Sequence, residues 1–414
     1  MGLSVIYLIH SRANLTEVRI LQITKKFPYP NIDGEVIAIN GLTNGFAQLG
    51  HQVTVLALNT NKHYFDVAQL PESRKKMATY LTVDINTDIK VTDAFFNLFT
   101  DKSYNVERFY SKEFEAKIAS VIAAGNFDFI LLEGIYPMRY IEVIRRSTKA
   151  KVILRPHNVE YVIWQRLYQH ETNPLKKAYL KLLASRMKKF ELENVGKADL
   201  LIPVSEMDMD IFRAEGCKTP HRTFPIGYDF DTLPAIDTNE ENAVAFIGAM
   251  DWMPNREGVE WFIANVWPKV RAQVPGAVFY LAGRNFPAEI KQLNVPGIKV
   301  VGEVPDARQF VLSKAISIVP LFAGSGMRVK IIEAMTLGRA IIATSVGAES
   351  IAYTDGTDIL IANDEAGFTQ AIVEVLTQPP LRLKLGQNAQ QLVSNRYDNR
   401  KICSAIIDFC KPYL

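Results

Sequence analysis

The sequence predicts an α/β protein with two doubly wound domains, each built on a parallel sheet. Short apolar runs rich in β-branched residues alternate with amphipathic segments through both halves of the chain. This alternation is typical of parallel strands covered by helices on both faces. A turn-rich stretch near residues 222–240 separates the two series. We therefore expect one domain over residues 1–225, a second over residues 226–395, and a final helix over residues 396–414.

The first series opens with the apolar run VRILQIT, which is followed by a loop containing Pro28, Pro30 and Gly34. Helical spacing then continues to a Gly50-His51 stop, because glycine commonly ends helices. The predicted strands cover residues 18–24, 52–58, 127–133, 151–157 and 198–205. The predicted helices cover residues 35–49 and 174–195.

The second series repeats this alternation. Its predicted strands cover residues 243–250, 277–283, 299–304, 315–321, 340–346 and 358–362. One predicted helix ends near Ala272, and another begins near Met327. Three more cover residues 306–314, 364–377 and 381–396. Ligands of doubly wound sheets bind at the carboxyl ends of the strands, so we expect the site in a cleft between the two sheets.

Residues 315–347 contain the most informative motif, a buried strand, a glycine-rich turn, a helix start and a second buried strand. Gly324 and Gly326 allow close approach of the backbone, while Arg328 and Lys330 add two cations beside the free N–H groups of the helix start. An ordinary turn with solvated cations is the alternative for a lone Gly-Ser-Gly. In the longer context, the motif predicts a site for a phosphorylated ligand.

Composition limits the classes of function. The chain has 414 residues, is 48% hydrophobic and 22% charged, and has a formal net charge of +3. These values are ordinary for a globular protein and give no global electrostatic argument for a nucleic-acid partner. Its three cysteines lack paired zinc-site spacing, and the apolar start lacks a signal-peptide pattern. We expect structural cysteines and a cytoplasmic protein.

Several segments together resemble the retaining glycosyltransferases of family 4, which have the GT-B fold of two facing Rossmann-like domains. The resemblance is most specific in PLFAGSGMRVKIIEAMTLGRAIIATSVGAESI. It extends to FPYPNIDGEVIAINGLTNGFAQLGHQVTVLAL, RPHNVE, VGEVPD and the segment from FIGAMDWMPNREG to FYLAGR. It implies a nucleotide-diphosphate sugar held by the second domain, an acceptor held by the first, and transfer with retention. It also implies that the final helix packs back on the first domain.

On this resemblance Glu333 matches the glutamate that binds the donor ribose, and a carboxylate can accept two hydroxyl hydrogen bonds. A surface glutamate paired with Lys330 is the alternative. Relatives often have a second glutamate where this chain has Ser325. Sugar recognition is then expected from Ser325, from the N–H groups of residues 324–327 ending at Met327, or from another side chain.

Relatives bind the diphosphate with an arginine and a lysine after the first strand of the second domain, where Asn255 and Arg256 are the only counterparts here. We therefore assign the diphosphate to Arg328 and Lys330, since preorganised cations stabilise a departing nucleoside diphosphate. The resemblance places His157 near the donor sugar, where a neutral imidazole can donate a hydrogen bond. A satisfied structural histidine is the alternative.

Further donor contacts are implied at four positions. Asn158 adds an amide beside His157, and Gly34 lies in the loop that approaches the donor phosphates, although the usual paired glycine is Asp33 here. Gly302 and Val304 lie where relatives contact the base through the backbone. For Glu133, which ends a predicted buried strand, we keep open a role in orienting sugar or acceptor and that of a solvated loop carboxylate.

The predicted helix 174–195 combines lysines and arginines with leucines. It suits either peripheral contact with an anionic membrane at the inner face, and hence a lipid-linked acceptor, or a solvated face over a core stripe. The acceptor is otherwise expected to be a glycan or another hydroxyl compound. No metal-site motif or cofactor motif appears, so we expect catalysis without a bound metal, and a front-face mechanism in which the leaving phosphate assists deprotonation.

Two other functions remain open on the same architecture. A nucleotide-sugar epimerase would convert donor without acceptor, and a non-catalytic nucleotide-sugar binding subunit would bind donor without turnover. A dehydrogenase is disfavoured because the G-x-G-x-x-G fingerprint with an acidic residue downstream is missing.

Overall fold

The computed structural model describes residues 17–31, 33–229, 241–323 and 327–414. Within them lie two six-stranded parallel sheets with helices on both faces, and this confirms the predicted fold class. The strand orders are β3-β2-β1-β4-β5-β6 and β12-β11-β10-β7-β8-β9.

The strands of the first sheet are β1 (Arg19–Thr24), β2 (Gln52–Thr60), β3 (Thr79–Ile85), β4 (Phe129–Glu133), β5 (Lys151–Arg155) and β6 (Leu200–Leu201). Its helices are α1 (Gly34–Gln48), α2 (Glu72–Lys75), α3 (Val91–Asn97), α4 (Tyr104–Glu107), α5 (Lys112–Ala124), α6 (Ile141–Ser147), α7 (Glu160–His170), α8 (Pro174–Val195) and α9 (Glu206–Ala214). Strand β3 and helices α2 to α5 fall where the sequence pattern gave no assignment.

The strands of the second sheet are β7 (Glu241–Ile247), β8 (Phe279–Ala282), β9 (Ile298–Gly302), β10 (Lys314–Val319), β11 (Ala340–Ala343) and β12 (Leu360–Ile361). The helices that follow β7 are α10 (Met253–Trp261), α11 (Trp267–Gln273), α12 (Ala288–Lys291), α13 (Ala307–Leu312), α14 (Val329–Thr336), α15 (Glu365–Thr377), α16 (Pro379–Arg396) and α17 (Asn399–Cys410). A π-helical turn, Phe262–Val266, joins α10 to α11.

The cores lie on both faces of each sheet because the central strands are apolar on both sides. In β10 all six residues are buried, and in β4 all five are. Such continuous burial is expected of parallel strands between two helical layers. In the first sheet the carboxyl ends of β1, β4 and β5 are polar, with Thr24, Glu133 and Arg155 as the last residues.

The last helix, α17, packs against the first sheet rather than the second. Ile402, Ile406 and Cys410 belong to the core cluster that contains β1 and β4 side chains. The approach is close at Gly45 of α1, where an added Cβ would lie 2.4 Å from Cys403 Sγ. Cys403 and Cys410 are free, buried thiols whose pKa values are raised by burial.

Residue 228 pairs with the segment that joins α16 to α17. The Tyr228 N–H donates to the Tyr397 carbonyl at 2.6 Å, and the Asn399 N–H donates to the Tyr228 carbonyl at 3.0 Å. This short parallel pairing places residue 228 beside residues 397–399, which lead into α17.

Candidate active site

Glu133 is a polar residue at the carboxyl end of the first sheet. It ends β4, level with Thr24 of β1 and Arg155 of β5 in the strand register, and is fully buried. Its carboxylate accepts hydrogen bonds from Gln22 Nε2 at 2.6 Å and Arg155 Nη1 at 3.5 Å. Burial alone would raise its pKa, but the Arg155 guanidinium and His157 together hold that pKa below the ordinary value. Our alternative of a solvated loop carboxylate is wrong.

His157 is bound to this carboxylate, with 2.6 Å between its Nε2 atom and Glu133 Oε2. A carboxylate only accepts hydrogen bonds, so Nε2 must carry the proton. In the neutral ring Nδ1 is then an acceptor, and only the imidazolium can donate to a sugar hydroxyl from Nδ1. The neutral imidazole therefore offers an acceptor at Nδ1, not the donor that the sequence led us to expect.

The loop between β1 and α1 contains a compact charge network. Lys26 Nζ lies 2.7 Å from Asp33 and 3.0 Å from Glu35, and Lys25 Nζ lies 3.3 Å from Glu35. Asp33 also caps α1 by accepting from the Val36 N–H at 3.0 Å. Burial alone would raise the pKa of Glu35, but Lys25, Lys26 and His157 lower it to about 2. His157 is therefore within electrostatic range of Glu35.

The two domains approach each other at Gly34. A Cβ added there would lie 3.3 Å from Val329 Cγ2, which is a tight contact. Val329 begins α14, between Arg328 and Lys330, and Gly34 begins α1, next to Glu35. The two helix starts therefore oppose each other across the cleft, and a glycine allows the approach.

Arg328 precedes α14 and is 6% exposed. Its guanidinium carbon lies 5.4 Å from the ring centre of Trp252, which follows β7. Burial lowers the pKa of Arg328 to about 10, while the nearby carboxylates of Glu349 and Asp208 act in the opposite direction. Asp208 belongs to α9 of the first domain, so the cation predicted for the diphosphate lies at the domain boundary.

The Lys330 side chain contacts residues of β7 and of α10, the helix that follows it. Its Nζ donates to Asn255 Oδ1 at 2.9 Å and lies 4.4 Å from the ring centre of Phe246. Burial and the neighbouring Arg328 lower its pKa to about 7. Of the two expected loop counterparts, Asn255 therefore belongs to the site, whereas Arg256 lies 2.8 Å from Glu260 on the surface of α10.

Glu333 lies one turn further along α14 and is partly exposed. Burial raises its pKa to about 7, against the opposing charges of Arg308 and Lys330. The charge of Glu333 also contributes, after burial, to a Tyr228 pKa of about 12. Because Lys330 Nζ bonds Asn255, the alternative of a surface glutamate paired with that lysine is not what the structure shows.

The other predicted donor residues lie at or after the carboxyl ends of strands in both domains. Gly302 ends β9 with φ of +76°, a conformation that favours glycine, and its carbonyl accepts from the Gly283 N–H at 2.8 Å. Val304 and Asn158 are partly exposed. The Met327 side chain lies in the core, so only its backbone can face a ligand. Gly324, Ser325 and Gly326 lie outside the described residues.

Sequence reasoning missed several residues that complete the site. Gln22 and Arg155 support Glu133, and their signal was a polar residue within or at the end of an apolar strand. Trp252 and Arg308 gave no signal, since they approach Arg328 and Glu333 only through the fold.

Glu191 of α8 was also missed. This fully buried carboxylate accepts from the N–H groups of Glu160 at 3.0 Å and Tyr161 at 2.9 Å. These are free donors of the first turn of α7, directly after the His157 loop. Burial raises the pKa of Glu191 to about 8. Helix α8 therefore fixes the segment from which His157 projects.

None of the helices within the described ranges combines the length and the apolarity that crossing a bilayer would require.

Comparison with known proteins agrees with this geometry. Residues 241–378 match the family model "Glycosyl transferases group 1". An uncharacterised 44.6 kDa protein of the cps region of Klebsiella pneumoniae is 25% identical over 292 residues, which are 68% of this chain and 74% of that protein. A phosphatidyl-myo-inositol mannosyltransferase of Mycolicibacterium smegmatis is 26% identical over 186 residues, which are 42% of this chain and 47% of that protein.

Solved structures share the fold over nearly the whole chain. Sucrose-phosphate synthase from Thermosynechococcus elongatus has a TM-score of 0.72 at 17% identity, covering 96% of this chain and 99% of that one. Anabaena HepE in complex with UDP-glucose has a TM-score of 0.66 at 12% identity, covering 95% and 99%. These structures show that the chain shares their two-domain fold, and residues 241–378 are similar to glycosyl transferases of group 1.

Proposed function

We propose that this protein is a retaining glycosyltransferase of family 4 that moves a hexosyl unit from a nucleotide-diphosphate sugar to an acceptor hydroxyl. The strongest support is the meeting of two residue sets where α1 opposes α14. Gly34 contacts Val329 between Arg328 and Lys330. Glu35, next to Gly34, is within electrostatic range of His157. Arg328 and Lys330, the cations proposed for the diphosphate, thus lie opposite Glu35 and His157 of the first domain.

The similar proteins support the substrate class and the process. Anabaena HepE was solved with UDP-glucose, and a Mycolicibacterium relative is a mannosyltransferase acting on a phosphatidyl-inositol. The Klebsiella relative is encoded in a cps region. We place this chain in glycan or polysaccharide biosynthesis on this basis.

In the proposed reaction Arg328 and Lys330 stabilise the negative charge that develops on the departing diphosphate, without a bound metal. Preorganised cations in a partly buried site are effective because they need little reorganisation during the reaction. Glu333 binds the ribose hydroxyls, and His157 contacts the sugar. Activity that survives removal of divalent ions with EDTA would agree with this assignment, and activity restored only by added metal would contradict it.

Glu133 is poorly placed to act as a nucleophile, because it is fully buried and bound to Gln22, Arg155 and His157. This supports a front-face reaction in which a leaving phosphate oxygen takes the proton of the acceptor hydroxyl. Mass spectrometry of the protein after incubation with donor would then detect no covalent sugar. A glycosylated side chain would refute the mechanism.

We also propose peripheral contact with the inner face of a membrane. Phe95, Phe96 and Phe99 are 55%, 69% and 78% exposed and form one aromatic cluster. Exposed apolar clusters of this kind mark interaction surfaces. The cluster lies on the basic helix α8, since Arg186 donates to the carbonyls of Asn97 and Leu98 at 3.0 Å. Aromatic side chains beside a basic helix suit an anionic bilayer and hence a lipid-linked acceptor.

The function is tested in two steps. Thermal stabilisation by a panel of uridine, guanosine and adenosine diphosphate sugars identifies the donor, because a ligand of the folded state raises the melting temperature. Transfer to a panel of acceptors with retained anomeric configuration is the expected result. Conversion of donor without acceptor would indicate an epimerase, and binding without turnover would indicate a binding subunit. Either result would overturn the proposal.

A further inference from the structure

A second cavity lies at the carboxyl ends of β1, β2 and β3, on the acceptor side of the cleft. Its volume is about 550 Å³, within the range of small-molecule sites. Four cationic and two anionic side chains line it, so these groups give a net charge of +2: Lys25, Lys26, Lys62, Arg108, Glu35 and Asp88. The lining is therefore electropositive, unlike the nearly neutral chain as a whole.

Two of these cations are already neutralised by the protein. Lys25 and Lys26 both pair with Glu35, at 3.3 and 3.0 Å, and Lys26 also pairs with Asp33 at 2.7 Å. Arg108 and Lys62 are the other two cations of the lining, and Asp88 is its other anion. With Lys25 and Lys26 balanced by Glu35 and Asp33, one net positive charge remains in the cavity.

Arg108 and Lys62 lack anionic partners. Within the described ranges neither side chain forms a hydrogen bond or an ion pair, and the guanidinium carbon of half-buried Arg108 lies 5.2 Å from the ring centre of Phe109. Arg108 Nε is buried without an acceptor there, and Nδ1 of the adjoining His63 is buried without a hydrogen-bond partner. A half-buried guanidinium without an acceptor is costly, so this arrangement favours a ligand that supplies one.

The chemistry of these groups indicates which ligand they suit. Arginine offers a planar fork of N–H donors that matches the oxygens of a phosphate or a carboxylate, and lysine adds a mobile point charge. An uncharged sugar hydroxyl would satisfy the donors but leave the positive charge uncompensated. Thr60 and His63 contribute further polar side chains to the same wall.

We infer that this cavity binds an oxyanion of the acceptor, a phosphate or a carboxylate, through Arg108 and Lys62 with His63 beside them. The inference rests on the proposed glycosyl transfer and assigns the acceptor class for that reaction. Glu35 lines the cavity and is next to Gly34, which contacts Val329 between Arg328 and Lys330. An acceptor anchored by its anionic group is thereby held beside the proposed donor site.

The binding test uses inorganic phosphate in the presence of a saturating nucleoside diphosphate, which occupies the donor side. Isothermal titration compares the parent with Arg108→Gln, Lys62→Gln and the double variant. We expect phosphate affinity to fall at least about tenfold in the double variant, the loss expected for charge-assisted hydrogen bonds. The control is Arg146→Gln, which changes an exposed arginine of α6 near the amino end of β5. This arginine pairs with Glu115. The control variant should bind phosphate like the parent.

The kinetic test compares a hexose, its phosphate and the matching uronic acid as acceptors, which separates phosphate from carboxylate recognition. In Arg108→Gln the KM for the charged acceptor should rise at least about tenfold, while the melting temperature and donor affinity stay unchanged. An equal preference of the parent for charged and uncharged acceptors, or unchanged phosphate binding in the double variant, would overturn the inference alone. Absence of donor binding and transfer with every acceptor would instead refute the proposed function.

Discussion

The Nε2 atom of His157 lies 2.6 Å from Oε2 of the fully buried Glu133, and the same carboxylate accepts from Gln22 and Arg155. The imidazole orientation is thereby fixed by the strands rather than by the loop that contains it. Replacement of His157 by alanine should lower kcat by roughly 10²-fold, as expected when a group that positions the sugar is lost, with little change in donor affinity. Steady-state kinetics and donor titration measure both quantities.

Two comparisons make this prediction specific. Glu133→Gln should lower both kcat and the melting temperature, because it leaves the buried Arg155 without its counter-charge, a loss of about 3–5 kcal/mol. His51 directly precedes β2, at the amino ends of the strands, and His51→Ala should lower stability without lowering kcat. Full activity in His157→Ala would remove this residue from the site.

Arg328→Ala should reduce turnover more than donor affinity. The charge on the diphosphate grows as the glycosidic bond breaks, so the cation contributes most in the transition state, and a loss of roughly 10²-fold in kcat is expected. Arg256→Ala provides the control, because that arginine pairs with Glu260 on the surface of α10. If the two variants behave alike, the assignment of Arg328 to the diphosphate is incorrect.

Proton linkage separates the roles of Lys330 and Glu333. The pKa of Lys330 is lowered to about 7, so at pH 8 most of the protein holds it neutral, and a bound pyrophosphate should draw a proton onto it. The pKa of Glu333 is raised to about 7, so at pH 6 ribose binding should release its proton. Binding of a nucleotide sugar should therefore take up protons at pH 8 and release them at pH 6.

This sign change is measured by titration calorimetry in buffers of different ionisation enthalpy. Lys330→Met should abolish the uptake at pH 8 and Glu333→Gln the release at pH 6. In the free protein the depressed Lys330 pKa also implies that stability increases as the pH rises from about 7 toward the ordinary lysine value. Proton exchange that is unchanged in both variants would contradict these assignments.

Substitution of Gly34 by a residue with a side chain should lower activity, because the two domains contact each other at this position. Gly34→Val places a side chain against Val329, at a contact already 3.3 Å from an added Cβ. Overpacking of about 1–3 kcal/mol should lower kcat/KM by roughly 5- to 150-fold. Adding Val329→Ala should restore part of the activity. Gly276→Val, where an added Cβ meets nothing within 4 Å, should be neutral. Failure of the second substitution to restore activity would argue against a steric cause.

The aromatic cluster should bind vesicles. The triple variant Phe95→Ser, Phe96→Ser and Phe99→Ser should lose co-sedimentation with vesicles containing anionic phosphatidylglycerol, with its melting temperature preserved because the three rings are exposed. Leu383→Ser combined with Tyr413→Ser removes exposed apolar groups elsewhere and should sediment like the parent. If the triple variant loses dimerisation rather than vesicle binding, the cluster is a contact between two copies of the chain.

Much of the fold followed from local pattern. Strands such as β4 and β10 are continuous apolar runs, and α1 and α15 begin after aspartates that cap them, so their types and positions were readable from neighbouring residues. The segment between β2 and α5 was not, because β3 has only one fully buried residue and its helices are short. Packing rather than propensity decides such elements.

The sequence by itself determined the two α/β domains, the cationic helix start at Arg328 and Lys330, and the polar residues that end β4 and β5, since each is a contiguous pattern along the chain. Only the tertiary structure decided which of them meet. Glu133 joins Gln22 across 111 residues, and Lys330 joins Asn255 across 75. Parallel strands bring distant segments to one edge of a sheet, and the resulting burial sets the charge states of the site.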